Sequence, residues 1–568
     1  MAEYACAPTT FTKRFARSSG GNTSPVDLPP WAITSLCFPR LAVCRYPILI
    51  TSIMMWFSLL LLPLAVPLAL STPLLETRQS LLINVPFNTP SGASDVVPHN
   101  YAALAISQHS FHEYAGNKAS PNIFSRNLIN SISSRQGAPV AIRVGGTSGD
   151  FSVFLPNQRE ALTLPPGAEP GDIPRGMRIG TAWFEGFGVL PNVRWTYMAH
   201  LANDSNGQLA NSVAAVREAL KNIPSGTLDA LEIGNEVNFY SNVNRPGSYS
   251  PSSYLSDFNR YRTAIENAVG PQPYQAPVLY ENNCPWCVAN IFNLGQGGDP
   301  PIKSVAPHHY MDGGPQPMSR QAAYMNHTRI ARKLDAFKAP VAWLKANRPK
   351  IPLHLAEVNS NTYSQGNEEK IGVFGSALWL VDYMLYGATL SIKRMNVQQS
   401  TGFAYTSWRA VEYFGKPAAV LPPYYAHPFV ADVIGNSGNV RIHDLKLGLD
   451  LLSAYAVYDT SSNTVSKIVL INLHDWSPSS SSSSRPSRSV SFKLGGSSYG
   501  SIVRIEKLTA PGADVQDASR ISWKGQSWTR ASNGLPVSGT STTQATRANN
   551  GRFAVNIRAS EALLLTLT

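Results

Sequence analysis

The chain has 568 residues, enough for two or three domains with large cores, and its 43% hydrophobic and 14% charged content excludes a mainly disordered protein. Formal net charge is +12 at pH 7; the first 71 residues carry five Lys/Arg and two Asp/Glu, which leaves +9 for the remainder and favours anionic partners. The basic residues are scattered and form no recognised nucleic-acid motif, so an acidic polysaccharide suits this charge better than nucleic acid does.

In chain order, the first feature is the apolar stretch "ILITSIMMWFSLLLLPLAVPLAL" at 48–70. Arg40 and Arg45 form a basic flank, Leu59 to Leu62 an apolar centre, and Ala69-Leu70-Ser71 a small-residue cleavage site, the pattern of a secretory signal. Its length also suits a signal anchor, but Pro63 and Pro67 break it. Residues 1–71 are therefore read as a leader, secretion is expected, and no membrane span is expected after cleavage. Met54 and Met55 offer an alternative start, which would make 1–53 an extension of the gene model.

From residue 72 to 405 short β-rich runs alternate with longer amphipathic stretches. The strand candidates are "AALAIS" (102–107), "PVAIRV" (139–144), "RWTYMA" (194–199), "LDALEI" (228–233), "APVLYE" (276–281), "KSVAPHHY" (303–310), "IPLHLAEV" (351–358) and "LSIKRMNV" (390–397). Helix candidates between them include 211–223, 254–269 and 374–388. Eight strands with intervening helices is the count of a (β/α)8 TIM barrel. From 406 to 568, short alternating segments separated by Ser, Gly and Asn predict a C-terminal antiparallel β-sandwich, completed by the segment 80–95. The run "SPSSSSSSRPSRS" (477–489) is expected to be a flexible hairpin loop.

Three of the five Cys lie in the leader, which leaves Cys284 and Cys287 as "CPWC". Such a pair is a redox site, half a zinc site or a local disulfide; no second pair completes a zinc cage and no thioredoxin-like pattern surrounds it, so a local disulfide is expected. Asn203 and Asn326 open N-x-S/T sequons, sites for glycosylation in an exported chain. No His/Asp cluster has metal-ligand spacing, and no metal or organic cofactor is expected.

The chemistry is carried by two carboxylates. "LEIGNE" puts Glu236 directly after the fourth strand, and "LHLAEVNSN" puts Glu357 at the end of the seventh, both at the face where barrel enzymes build active sites. A lone Glu after a strand is ordinarily solvated or ion-paired; two, each following an apolar strand of one barrel, are the equipment of glycoside hydrolysis. Asn235, beside the first, is placed to hold a sugar hydroxyl. Glu232, inside the same strand, is expected to have a structural partner instead.

"GNE" on the fourth strand with Glu on the seventh resembles the clan A retaining (β/α)8 glycosidases. More narrowly, "HEYAGNKASPNIFSRNLINSI" (112–132), "IRVGGTSGDF" (142–151), "LEIGNEVNFY" (231–240), "HHYM" (308–311), "AEVNSN" (356–361) and "SALWLVDYMLYGA" (376–388) resemble glycoside hydrolase family 79, which includes β-glucuronidases and heparanase. The resemblance implies Glu236 as acid/base and Glu357 as nucleophile. It also implies sugar contacts at Thr147, Gln398 and Tyr405, a hydrogen bond from Tyr310 to the nucleophile, and a uronate-binding loop at Tyr363 and Gly366. Arg143 is read as a support for the nucleophile's charge or as a structural salt-bridge partner.

Two departures stand out. "NTYSQG" is shifted by about a residue from the family's loop, and His109 stands where the first strand typically ends in an acidic residue. The implied activity is removal of glucuronic acid from glycans with retention; a neutral β-glycosidase of the same clan and an inactive carbohydrate-binding wall protein are the alternatives.

Overall fold

The computed structural model describes residues 81–168, 174–202, 207–297, 302–314, 319–362, 366–479, 484–495 and 502–568. Residues 1–80, with the apolar stretch at 48–70, and Asn203 and Tyr363 lie outside the described residues. Eight parallel strands close into a barrel: β1 Ala102–Ser107, β2 Val140–Gly145, β3 Val193–Ala199, β4 Leu228–Ile233, β5 Tyr274–Tyr280, β6 Ile302–Asp312, β7 His354–Asn361 and β8 Arg394–Gln399. Every residue of β1 and β2 is buried, as expected of strands covered on both faces, which explains their lack of polar alternation.

The helices obey local signals. Pro251–Val269 starts on Ser250, whose Oγ accepts from the Ser253 amide at 3.2 Å; Pro251 opens its first turn, and Gly270 at φ 81° ends it. Phe374–Thr389 is apolar nearly all round and buried from end to end except at Thr389. It lies between the barrel and the C-terminal sheets, where its Asp382 binds His327 at 2.9 Å and accepts hydrogen bonds from Ser453 and Tyr455, both at 2.6 Å. A buried carboxylate needs such partners, so this cluster fixes the two layers against each other.

The C-terminal sheets pack as a sandwich around their own apolar cluster, which includes Ile83, Val85, Leu470, Phe492, Phe553 and Leu563. The larger sheet is antiparallel, running Val440–Asp444, Leu452–Asp459, Thr464–Asn472, Glu561–Leu567, Ile502–Thr509 and onward. The smaller contains Leu81–Val85, Ser487–Leu494 and Arg552–Arg558. Arg552–Arg558 alternates exposed and buried residues without exception, the period-2 signature of a strand with one wet face. The segment 81–85 does join this domain, but it pairs in parallel with Ser487–Leu494, a departure from a purely antiparallel sandwich.

Three sequence expectations need correction. The sandwich does not begin at 406: residues 408–420 form a small hairpin, and helix Ala426–Ile434 packs beside Ile123–Gln136 and Phe374–Thr389, so the first sandwich strand starts at Val440. Strands β7 and β8 end three and two residues further on than expected, because buried Asn and Gln side chains at the barrel mouth keep the ladder going. The Ser-rich run is not all loop: 480–483 lie outside the described residues, but 487–489 already belong to the strand Ser487–Leu494. Among the described residues no helix is long and apolar enough to cross a membrane.

Candidate active site

At the C-terminal mouth of the barrel a cleft of about 350 Å3 is lined by both glutamates together with Ser107, Gly146, Thr147, Ser148, Tyr310, Gln398, Tyr405 and others. Glu236 reaches it through an unusual backbone. Gly234 at φ 83° turns the chain off β4, and a Cβ there would meet Tyr240 Oη at 2.7 Å. Glu236 itself stands at φ 48°, ψ 52°, a left-handed conformation that a side chain of its size seldom adopts and that clusters at functional sites. Asp150 anchors the turn: its Oδ2 accepts from the Asn235 amide at 2.9 Å and from Tyr240 Oη at 2.5 Å. Burial raises the Asp150 pKa to about 6, opposed by those hydrogen bonds.

Glu357 occupies the middle of β7, level with His308 on β6. Its Oε1 accepts from Tyr310 Oη at 2.7 Å and its Oε2 from Arg143 Nη1 at 2.6 Å. Arg143 is fully buried and serves three oxygen acceptors: Nε donates to Glu232 Oε2 at 2.8 Å, Nη1 to Glu357, and Nη2 to Asn235 Oδ1 at 2.8 Å. Burial disfavours its charge, but Glu232 and Glu357 outweigh that and hold it protonated. Arg143 thus ties Glu232 and Glu357 together through one side chain. Glu232 is the structural partner, completed by Gln275 Nε2 at 2.7 Å.

Glu236 has different company. Its Oε1 lies 2.9 Å from His308 Nδ1, and burial raises its pKa to about 7 although the Arg143 charge pulls the other way. Burial and then Arg143 lower His308 to about 4, so the imidazole is neutral at physiological pH and adds no cation beside Glu236. One oxygen of Glu236, one of Glu357 and a ring nitrogen of His308 all lie within 4.8 Å of one another. That spacing would also suit a cation, but Arg143 already supplies positive charge at Glu357.

The structure brings together most of the residues singled out in the sequence. Thr147 lines the cleft and accepts from Asn235 Nδ2 at 3.4 Å. Tyr310 packs against Tyr405 with ring centroids 6.2 Å apart. Gln398 lies within β8 rather than after it; its Nε2 donates to Ser107 Oγ at 2.8 Å, while its buried Oε1 has no hydrogen-bond partner. Gly366, at φ 72°, does not line the cleft, whereas the nearby Thr362 does.

His109 is not the residue at the end of β1. The strand stops at Ser107, which faces the cleft, and His109 sits in the following helix between Ser148 Oγ at 3.0 Å and Ser400 Oγ at 2.9 Å. Ser107, Phe239, Tyr280 and Phe403 are cleft residues that the sequence reading passed over. Ser107 was findable as the last letter of "AALAIS". The aromatic residues lie in loops or at a strand end, with no periodicity to mark them. Cys284 and Cys287 are disulfide-bonded. Asn326, half-buried, caps helix His327–Leu334 by accepting from the Arg329 amide at 2.8 Å.

A closed (β/α)8 barrel with two glutamates facing each other across its C-terminal mouth defines the class, a barrel glycoside hydrolase. The model of the glycosyl hydrolase family 79 C-terminal β domain matches residues 454–564. A β-glucuronidase of Aspergillus niger is 30% identical over 487 residues, covering 81% of this chain and 89% of that one. A β-glucuronidase of Neurospora crassa is 28% identical over 478 residues, covering 75% and 84%. The chain belongs to glycoside hydrolase family 79 and is a β-glucuronidase-like glycoside hydrolase. Among solved structures, a 4-O-α-L-rhamnosyl-β-D-glucuronidase from Fusarium oxysporum shares the fold with TM-score 0.73 at 23% identity, covering 86% of this chain and all of that one. An arabinofuranosidase from Xanthomonas axonopodis pv. citri shares it more distantly, with TM-score 0.58 and 14% identity over the same shares.

Proposed function

We propose that the protein is a secreted β-glucuronidase that removes glucuronic acid, or its 4-O-methyl form, from glycans by double displacement with retention. The observation that carries this reading is the pair of carboxylate oxygens within 4.8 Å of each other in one cleft. Retaining glycosidases hold their carboxyl groups about 5 to 5.5 Å apart, whereas inverting ones leave about 6.5 to 9.5 Å for a water.

The surroundings of the two acids support the division of labour. Glu357, held by Arg143 and Tyr310, is the nucleophile: one of its oxygens attacks the anomeric carbon. Glu236, with its raised pKa, protonates the glycosidic oxygen as that bond breaks. Glu236, now ionised, takes a proton from water, whose oxygen displaces Glu357 and releases the sugar with its original configuration. Asn235, Thr147, Gln398 and Tyr405 hold sugar hydroxyls. The leader supports export; N-terminal sequencing of protein recovered from the medium would test the cleavage after Ala69–Ser71.

One observation favours the competing reading, a retaining β-glycosidase of neutral sugars: among the described residues that line the cleft there is no Lys or Arg to meet a uronate carboxylate. Assay of the purified protein on aryl β-glucuronide, β-glucoside and β-xyloside separates the two, and NMR of the first-formed anomer tests retention. Turnover of the glucuronide alone, with β-anomer released first, is expected. Preference for a neutral glycoside, or inversion, would overturn the proposal.

A further inference from the structure

A second depression, a groove of about 460 Å3, opens beside the cleft and shares Thr147, Glu236 and Phe239 with it. Glu357 lines the cleft but not the groove. The groove is therefore on the proton donor's side of the site. Few large apolar side chains are exposed among the described residues, yet Phe239 at 52% and Val243 at 55% both stand here. Phe239 packs on Tyr280 with centroids 5.1 Å apart, and Arg175 lies over the Phe151 ring at 4.7 Å, in no salt bridge among the described residues. Asn244 Oδ1 is buried there without a hydrogen-bond partner.

This surface is held rigid. Asn238 clamps it to the end of β5, accepting from the Tyr280 amide at 2.9 Å and donating to the Tyr280 carbonyl. The amides of Asn244 and Arg245 both return to the Tyr240 carbonyl. The Arg245 guanidinium is buried beneath, donating to the carbonyls of Leu201 and Ala202 and pairing with Asp257 at 3.3 Å. Tyr249 stacks on Trp286, the residue presented by the Cys284–Cys287 loop, which gives "CPWC" a place in the support of this surface.

We propose that this groove is a leaving-group subsite for an oligosaccharide, with Phe239 and Val243 as the platform for the sugar next to the scissile bond and Arg175 and Asn244 as its polar contacts. The proposal rests on the reading of Glu236 as proton donor: the donor must touch the leaving oxygen, so the space on its side belongs to the leaving group. Pyranose rings present apolar C–H faces that match an exposed aromatic ring, and a rigid platform loses little entropy on binding. Natural substrates are then glucuronosyl oligosaccharides rather than glucuronides of small alcohols.

The test compares methyl β-glucuronide with a glucuronosyl-capped trisaccharide, two substrates whose leaving groups are both alkoxides needing a proton. The ratio of their kcat/KM values isolates the subsite, because the glucuronyl contacts are common to both. The trisaccharide is expected to be preferred, with Phe239→Ala lowering the ratio by roughly tenfold and the double variant Arg175→Ala/Val243→Ser by roughly threefold to tenfold. All three side chains are surface-exposed or half-buried, and thermal melts confirm that the variants are folded. Hydrolysis of both substrates with a ratio unmoved in every variant would overturn the subsite alone. Failure of the wild-type protein to cut either would overturn the functional reading and the subsite with it.

Discussion

Glu236, beyond the end of β4, and Glu357, inside β7, face one cleft from opposite surroundings. Glu357 has a guanidinium on one oxygen and a phenol on the other, two charge-assisted hydrogen bonds. Glu236 has a neutral imidazole, and burial raises its pKa to about 7. Arg143 makes the asymmetry: it bonds directly to Glu357 but reaches Glu236 only through space, too weakly to offset burial. The lesson is that two identical side chains a few ångströms apart acquire different electrostatic surroundings from their neighbours alone.

That contrast can be broken from either side. Glu357→Gln should reduce kcat on aryl β-glucuronide by about 10^4-fold or more, measured on a folded variant. Glu236→Gln should reduce kcat by about 10^2- to 10^4-fold on methyl β-glucuronide and less on an aryl β-glucuronide, whose acidic phenol departs without a proton. In the wild-type protein the same acid should set the basic limb of the kcat/KM profile near pH 7. Tyr310→Phe, which removes one hydrogen bond to Glu357, should lower kcat by about 10- to 100-fold.

The smallest expected effect is on stability, and its sign is opposite. The folded state holds the Glu236 proton up to about pH 7, whereas an unfolded Glu releases it near the ordinary value of 4.5. Between those values the unfolded chain binds fewer protons, so stability falls as pH rises. Glu236→Gln removes that loss and should stabilise the protein at pH 8 by up to about 3 kcal/mol, with little difference at pH 4. Denaturant unfolding of both proteins at the two pH values checks it.

The strands that bury apolar residues were legible in the sequence to the letter: "AALAIS" and "LDALEI" coincide with β1 and β4. The polar ends of β7 and β8 were not. Asn359, Ser360 and Asn361 look like loop residues, yet they are buried strand residues, and Asn359 donates across the ladder to the Gln398 carbonyl at 3.0 Å. The carboxylate pair could be found because its ordinal position on the barrel is a topological property. The three-way attachment of Arg143 could not, since Glu232, Asn235 and Glu357 lie 89, 92 and 214 residues away. His109 departs from its expected place for a related reason: β1 stops two residues earlier, at Ser107.

The parallel pairing of Leu81–Val85 with Ser487–Leu494 makes the catalytic barrel an insertion inside the sandwich. During synthesis the first of those strands leaves the ribosome about 400 residues ahead of its partner, an interval of roughly 20 to 80 s at ordinary elongation rates. All eight barrel strands are synthesised before that partner appears, so the smaller sheet of the sandwich cannot close until the barrel's chain is complete, like a clasp whose second half comes last. The C-terminal segment is therefore not a portable module: transplanted without residues 81–85 it would carry an unfilled sheet edge.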